Sequence, residues 1–187
     1  DGSENTLVPW TSVGQDTFIV DTSLSLLTGT QYFVSVRATD GAENLSQEEP
    51  SDGVVVDTIA PVIAYVYEGS SNNDLDYQYE SDSVMVAWSG GDTRAIAYYA
   101  VALGSAPEQA DIVDWVDVGI STNHALLNLD LVSGQTYYGT VRAHDQAGNI
   151  SGLMSGDGLT IDQDGPAPGQ VSDYDIDDVD WIAINYQ

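Results

Sequence analysis

The chain has 187 residues, 42% of them hydrophobic, with thirty acidic residues against three basic ones, a formal net charge of −27 and no cysteine. That charge excludes nucleic acid and membrane insertion from the partners, because polyanionic surfaces need a basic patch to displace their counterions and no run approaches the roughly eighteen apolar residues of a span. The missing cysteine excludes a disulfide scaffold, a thiolate metal site and a cysteine nucleophile. So many carboxylates are tolerable where salt screens them over about 8 Å or where divalent cations neutralise them.

In chain order, the first feature is a repeat. Residues 6–61 recur without a gap at 111–166, at a constant offset of 105 residues, and about twenty of the fifty-six aligned positions are identical. Trp10, Leu26, Gly29, Tyr32, Arg37, Asp40, Asn44 and Asp57 return as Trp115, Leu131, Gly134, Tyr137, Arg142, Asp145, Asn149 and Asp162. A period of about a hundred residues is a whole domain, so the chain reads as part of a tandem array. The expected organisation is the C-terminal half of a repeat at 1–59, a complete repeat at 60–165 and the start of a third at 166–187. It implies an interior piece of a longer protein, with half a core and unpaired strand edges exposed in the first segment.

Short alternating runs at 32–38, 84–88, 96–103 and 137–143 lie between clusters of Gly, Asp, Asn and Ser, which predicts strands throughout and no helix. Within 32–38 the period of two puts Tyr32, Val34, Val36 and Ala38 on one face and Phe33, Ser35 and Arg37 on the other. Further strands are expected at 54–56 and 159–161, with short proline-limited linkers at 57–61 and 162–168. An acidic insert occupies 68–82, and a last alternating run spans 179–186. Turn signals every eight to twelve residues point to an all-β chain of antiparallel β-sandwiches with Greek-key connections.

The run Leu26, Thr28, Thr30, Tyr32, Val34, Val36, Ala38 resembles the strand E to strand F passage of fibronectin type III domains. The copy from Leu131 through Tyr137 to Ala143 resembles it again. The resemblance makes each Tyr a corner tyrosine, 83–88 strand B with its core tryptophan and 96–103 strand C. The strings at 38–46 and 143–151 are similar to the F to G turn of bacterial fibronectin-like and Ig-like surface repeats. The chain departs from the pattern at Thr28 and Ser133, where the E to F turn usually carries proline. The resemblance implies the fold; function is carried by sites and not by the fold.

No Ser-His-Asp order, zinc-binding helix, nucleophile elbow or phosphate loop occurs, so no catalytic residue is expected. His124 and His144 stand where the other copy has Ile19 and Thr39, which places them outside the repeat pattern. Calcium is the sharper expectation, because a hard cation takes six to eight oxygens from carboxylates, amides and carbonyls. In a string of such sandwiches Asp57 at a strand G exit approaches Asp92, Asp145 and Asn149 in the loops of the next domain. A second group joins Asp74 and Asp76 of the insert to Asp162 and Asp164. Asp173, Asp175, Asp177 and Asp178 form a further acidic stretch. None has EF-hand spacing, and for Asp40 and Asp145 the competing explanation is turn chemistry, an Asp side chain bonding its own backbone. Arg37 and Arg142 are expected in cross-strand ion pairs on the outer face of strand F.

The expected role is a non-catalytic spacer or stalk of a secreted or cell-surface bacterial adhesin or filament, with domain junctions stiffened by calcium. Its partners would be neighbouring repeats of the same protein, other copies of the chain, a glycan or a surface protein. The alternatives are a carbohydrate- or protein-binding module, using tyrosines such as Tyr65, Tyr67, Tyr77 and Tyr79, and an accessory domain of a secreted hydrolase.

Overall fold

The computed structural model describes residues 7–167 and 169; the alternating run at 179–186 and the acidic stretch at Asp173, Asp175, Asp177 and Asp178 lie outside them. All regular structure among the described residues is β, and the chain divides into two compact units, Asp1–Ile59 and Ala60–Gln187.

The first unit holds four short strands: β1 (Gln31–Tyr32), β2 (Ser35–Val36), β3 (Glu49–Pro50) and β4 (Val54–Val55). β1 pairs with β4 and β2 with β3, both antiparallel, so this is one hairpin interrupted at mid-length. Its apolar residues stay in solvent: Val36 is 65% exposed and Val54 62%. A single hairpin has no second layer against which to bury a face, which accounts for the two-residue strands.

The second unit is a β-sandwich. Its strands are β5 (Val62–Ser70), β6 (Asn73–Asp74), β7 (Tyr77–Gln78), β8 (Ser83–Gly91), β9 (Ile96–Gly104), β10 (Val113–Asp117), β11 (Asn123–Leu127), β12 (Thr136–Asp145), β13 (Met154–Ser155) and β14 (Leu159–Ile161). One sheet has the order β11-β8-β5-β6; the other runs β10-β9-β12-β14-β7, with β13 also on β12. Successive strands β8 to β9 and β11 to β12 change sheets. Every strand pair is antiparallel except β14 with β7, where Thr160 lies level with Tyr77 and Ile161 with Gln78. The core between the sheets centres on Trp88, Leu103, Val141, Leu159 and Ile161, all under 2% exposed. Trp88 meets Tyr99 edge-on at 5.8 Å between ring centroids, the arrangement the aromatic quadrupole favours.

Both tyrosines at the start of the repeated strand make the same bond. The Leu27 amide donates to the Tyr32 hydroxyl at 2.9 Å, and the Val132 amide to the Tyr137 hydroxyl at 3.0 Å. The residues replacing proline in that turn also have a use: Thr28 Oγ1 accepts the Thr58 amide at 2.8 Å and Ser133 Oγ accepts the Gln163 amide at 3.1 Å. A proline there could supply no such acceptor.

The segment 68–82 is not a loop insert from its start. Glu68 to Ser70 end β5, the chain turns back through β6, then crosses to the other sheet as β7. The inward alternation Val66, Glu68 carries a carboxylate into a core position, and Glu68 is fully buried.

Candidate functional site

The turn after β12 is built by Asp145. Its Oδ1 accepts the Asn149 amide at 2.8 Å and its Oδ2 the Asn149 Nδ2 at 2.7 Å. Asp40 does the same in the first unit, accepting the Ala42 and Asn44 amides and the Asn44 Nδ2, each at 2.9 Å. These are the turn bonds that Asp makes with its own backbone. Burial pushes the Asp145 carboxyl up, but bonds from the Asn149 side chain and the amides of Asn149, Gly148 and Ala147 outweigh it and hold the group below its ordinary value. Asp145 is therefore a carboxylate at neutral pH, and it is 5% exposed.

Asp92, in the turn after β8, presents a carboxylate oxygen within 4.8 Å of one on Asp145. Its Oδ2 accepts the Arg94 amide at 2.8 Å, whereas its Oδ1 is buried and has no hydrogen-bond partner among the described residues. Two carboxylates at this distance repel unless a cation or water sits between them. Asn149, on the same turn, uses its side-chain nitrogen on Asp145. Asp57 belongs to the first unit, where its Oδ1 accepts the Ile59 amide at 3.0 Å.

The second expected group is spread along β14. Parallel register puts Asp76 beside Leu159 and Asp162 beside Tyr79, three residues apart or roughly 10 Å of strand. Asp162 Oδ1 accepts the Asp164 amide at 3.0 Å, the bond that Asp57 makes in the other copy. Asp74 turns elsewhere: its Oδ1 accepts the Glu68 amide at 3.0 Å, and its carboxylate lies with those of Glu68 and Asp157, all within 4.8 Å of one another.

Sequence reasoning missed Glu68 and Asp157. The available signal was a Glu on the inward phase of β5. The Gly139 amide donates to Glu68 Oε1 at 2.7 Å and the Gly158 amide to Oε2 at 3.3 Å, so the side chain spans from one sheet to the other. A β-carbon on Gly156 would overlap the carboxylate, so glycine there lets the backbone close over it. Burial raises the Glu68 pKa to about 7, the two amide bonds work against that, and the neighbouring Asp74 adds to the rise. Asp74 is also raised, by burial first and then by the charges of Asp157 and Asp76.

The arginines stack. The Arg37 guanidinium stands over the Trp10 ring at 4.1 Å from its centroid, and Arg142 over Trp115 at 4.2 Å. This differs from the expected ion pairs: a tryptophan of the preceding segment covers each guanidinium, and its ring quadrupole attracts the cation. Stacking also leaves Arg142 Nε buried without a hydrogen-bond partner among the described residues. His144 stacks on Tyr98 at 4.3 Å, and its pKa is lowered by burial and by Arg142. Tyr65 and Tyr67 stack on each other at 4.6 Å, which covers one face of each ring. A shallow groove lined by Pro61, Val62, Ile63, Gly152, Leu153 and Met154 contains no titratable side chain.

No family model matches the chain. It is 30% identical over 166 residues to Exoglucanase B of Cellulomonas fimi; the match takes in 82% of this chain but spans only 13% of that protein. Among solved structures it is similar to a β-1,2-glucanase from Parabacteroides distasonis, at 14% identity and a TM-score of 0.32, over 66% of this chain and 16% of that one. It is also similar to a fibronectin type III domain from the human KIAA0970 protein, at 18% identity and a TM-score of 0.30, over 63% of this chain and 83% of that one. No helix among the described residues is long and apolar enough to cross a membrane.

Proposed function

We propose that this chain is a non-catalytic module of a secreted or cell-surface protein, a run of fibronectin type III-like sandwiches that separates or connects other parts of the parent chain. The observation that carries this reading is the repeat itself. Both copies keep the corner tyrosine, the Asp–Asn turn and the Arg–Trp stack, which are structural devices. Duplicated scaffolding serves reach or avidity. Adhesin and filament stalks are one setting. The resemblance to a stretch of Exoglucanase B favours a second, an accessory module beside a secreted glycosidase.

Calcium is proposed as a stiffening ion, with Asp92 and Asp145 as its ligands in the second unit. The Oδ1 of Asp92, without a hydrogen-bond partner among the described residues, fits a hard cation, and Asp145 places a second carboxylate oxygen within 4.8 Å of it. The linker residue Asp57 and the acidic groups around Asp74, Asp76, Asp162 and Asp164 are tested in the same experiment.

The module reading predicts that the purified chain neither hydrolyses soluble β-glucans nor sediments with insoluble polysaccharide. Turnover would overturn it, and saturable sedimentation would replace it with the binding-module reading. For the ion, thermal unfolding is compared in calcium and in EDTA at fixed ionic strength. A calcium-dependent rise in Tm that Asp92→Asn removes is the expected result, because a ligand of the native state stabilises it. Asp57→Ala, Asp74→Asn and Asp162→Asn identify any other carboxylate on which the rise depends. No rise at all removes calcium from the account.

A further inference from the structure

We infer that the outward face of the β11-β8-β5 sheet is a contact surface for a second copy of this chain. The inference goes beyond the module reading, and only its multiplication along an array rests on that reading.

The face follows from alternation. On β8 the core takes Val84, Val86 and Trp88, so Ser83, Met85, Ala87 and Ser89 point outward. Register carries the same face to both neighbours. Tyr67 lies level with Ala87 and Tyr65 with Ser89, while Asn123, Ala125 and Leu127 stand opposite Ala87, Met85 and Ser83. No residue of this set is charged, in a chain where thirty of 187 are acidic. The outward face of the other sheet differs: it carries Arg142, with Asp117 and Arg142 both level with Ala100.

The lack of charge decides the partner. Elsewhere the approach of two chains of net charge −27 sets carboxylate against carboxylate, and on this face a cationic partner finds no group to pair with. A second copy brings an equally uncharged face, and a two-fold axis lets one surface serve both sides. The relief also suits this pairing. Tyr65 and Tyr67 stack at 4.6 Å and form a ridge along β5, with the small Ala87 and Ser89 beside them. At the opposite corner Met85 and Leu127 project, 42% and 61% exposed. A two-fold axis across the small residues lays the tyrosine ridge of one copy against Met85 and Leu127 of the other, a thioether–aromatic contact. Asp82 and Asp92 border the two ends of β8, which gives the patch a charged rim. Three strands over about 20 Å of length bury on the order of 1,000 Å² in a pair, rim included, the lower limit for a specific contact. One pair is therefore weak, and an array of such sandwiches would multiply it.

Sedimentation equilibrium of the full chain, at concentrations up to the millimolar range, tests this. The expected result is a reversible monomer–dimer equilibrium that strengthens between about 0.1 and about 1 M NaCl, because salt screens the repulsion between copies. Leu127→Asp should weaken it about ten-fold or more by placing a carboxylate in the contact. Val36→Asp, on the exposed hairpin of the first unit, should leave it unchanged. A second measurement needs no charge inserted. The chain has no cysteine, so a nitroxide attached at Leu127→Cys is unique. Mixed with isotope-labelled wild type, it should broaden the amide resonances of Tyr65 and Tyr67 in the other copy. A chain that stays monomeric at both salt concentrations overturns the inference and leaves the module reading standing. Dimerisation that weakens with salt overturns it too, since the contact would then be made by charged groups. So does dimerisation that Val36→Asp abolishes and Leu127→Asp spares, or broadening at Val36 in place of the tyrosines, either of which puts the first-unit hairpin in the contact.

Discussion

The two copies of the repeat give the same local chemistry and opposite burial. Val36 is 65% exposed and its counterpart Val141 is 0%; Val54 is 62% exposed and Leu159 is 1%. Yet Ser46 and Ser151 each accept an amide from the same strand, Ala38 to Ser46 at 2.8 Å and Ala143 to Ser151 at 2.9 Å. Gly53 and Gly158 both take positive φ, and a β-carbon on either would strike the aromatic ring opposite, Phe33 or Tyr138. Turn, corner and stack are thus written within about thirty residues. Burial is not: the second copy acquires it from β5, β8 and β9, and the described residues of the first unit form no strand that corresponds to these.

The comparison can be broken hardest at Trp88, which has no counterpart in the first unit. Trp88→Ala should destabilise the second unit by about 3–5 kcal/mol, read from the shift of its urea midpoint. A cost under about 1 kcal/mol would mean that the sandwich is not held by this core. Glu68, also without a counterpart, gives the next effect. Its folded pKa of about 7 lies above the ordinary 4.5, so the native state binds the proton more tightly than the unfolded chain does. The stability it contributes is complete below about 4.5 and is lost as pH rises towards 7, by up to ~3 kcal/mol. The Asp74 carboxyl is raised as well, by burial first. The measurement is therefore the difference in pH slope between wild type and Glu68→Gln, and parallel slopes would refute the assignment. Third come the matched truncations. Val141→Ala should cost about 2 kcal/mol and Val36→Ala less than about 0.5, since only the first removes a buried methyl pair. Similar costs would show that the first unit buries Val36 in solution.

How much was legible follows from the same division. The period of two along 137–143, with Tyr137, Val141 and Ala143 inward, was readable because a strand's faces alternate whatever its partners. The Asp145–Asn149 turn was readable because its bonds are four residues apart. Glu68 was not, because its partners Gly139 and Gly158 lie 71 and 90 residues away and a lone Glu in an acidic stretch looks solvated. The arginines were misassigned for a related reason. Among thirty carboxylates an ion pair looks inevitable, but the tryptophan that covers each arginine is 27 residues upstream. The second carboxylate group failed to assemble because the parallel β7–β14 register, which fixes how far Asp76 stands from Asp162, has no local signature.

The smallest predicted effect sharpens the comparison because it should be equal in both copies. The Arg–Trp distances are 4.1 and 4.2 Å, and the stack needs only the F-strand hairpin and the segment before it. If its strength is local, Arg37→Gln and Arg142→Gln should each weaken it by about 0.5–1 kcal/mol despite the difference in burial around them. Amide hydrogen exchange reads each site separately, at Leu27 and Thr58 in the first unit and at Val132 and Gln163 in the second, where side-chain acceptors hold the amides of the corner and the strand exit. Equal acceleration in the two copies is the expected outcome. Acceleration confined to the second would mean that the stack, too, draws its strength from the core beneath it. The shared sequence would then set the geometry of the device without supplying its energy.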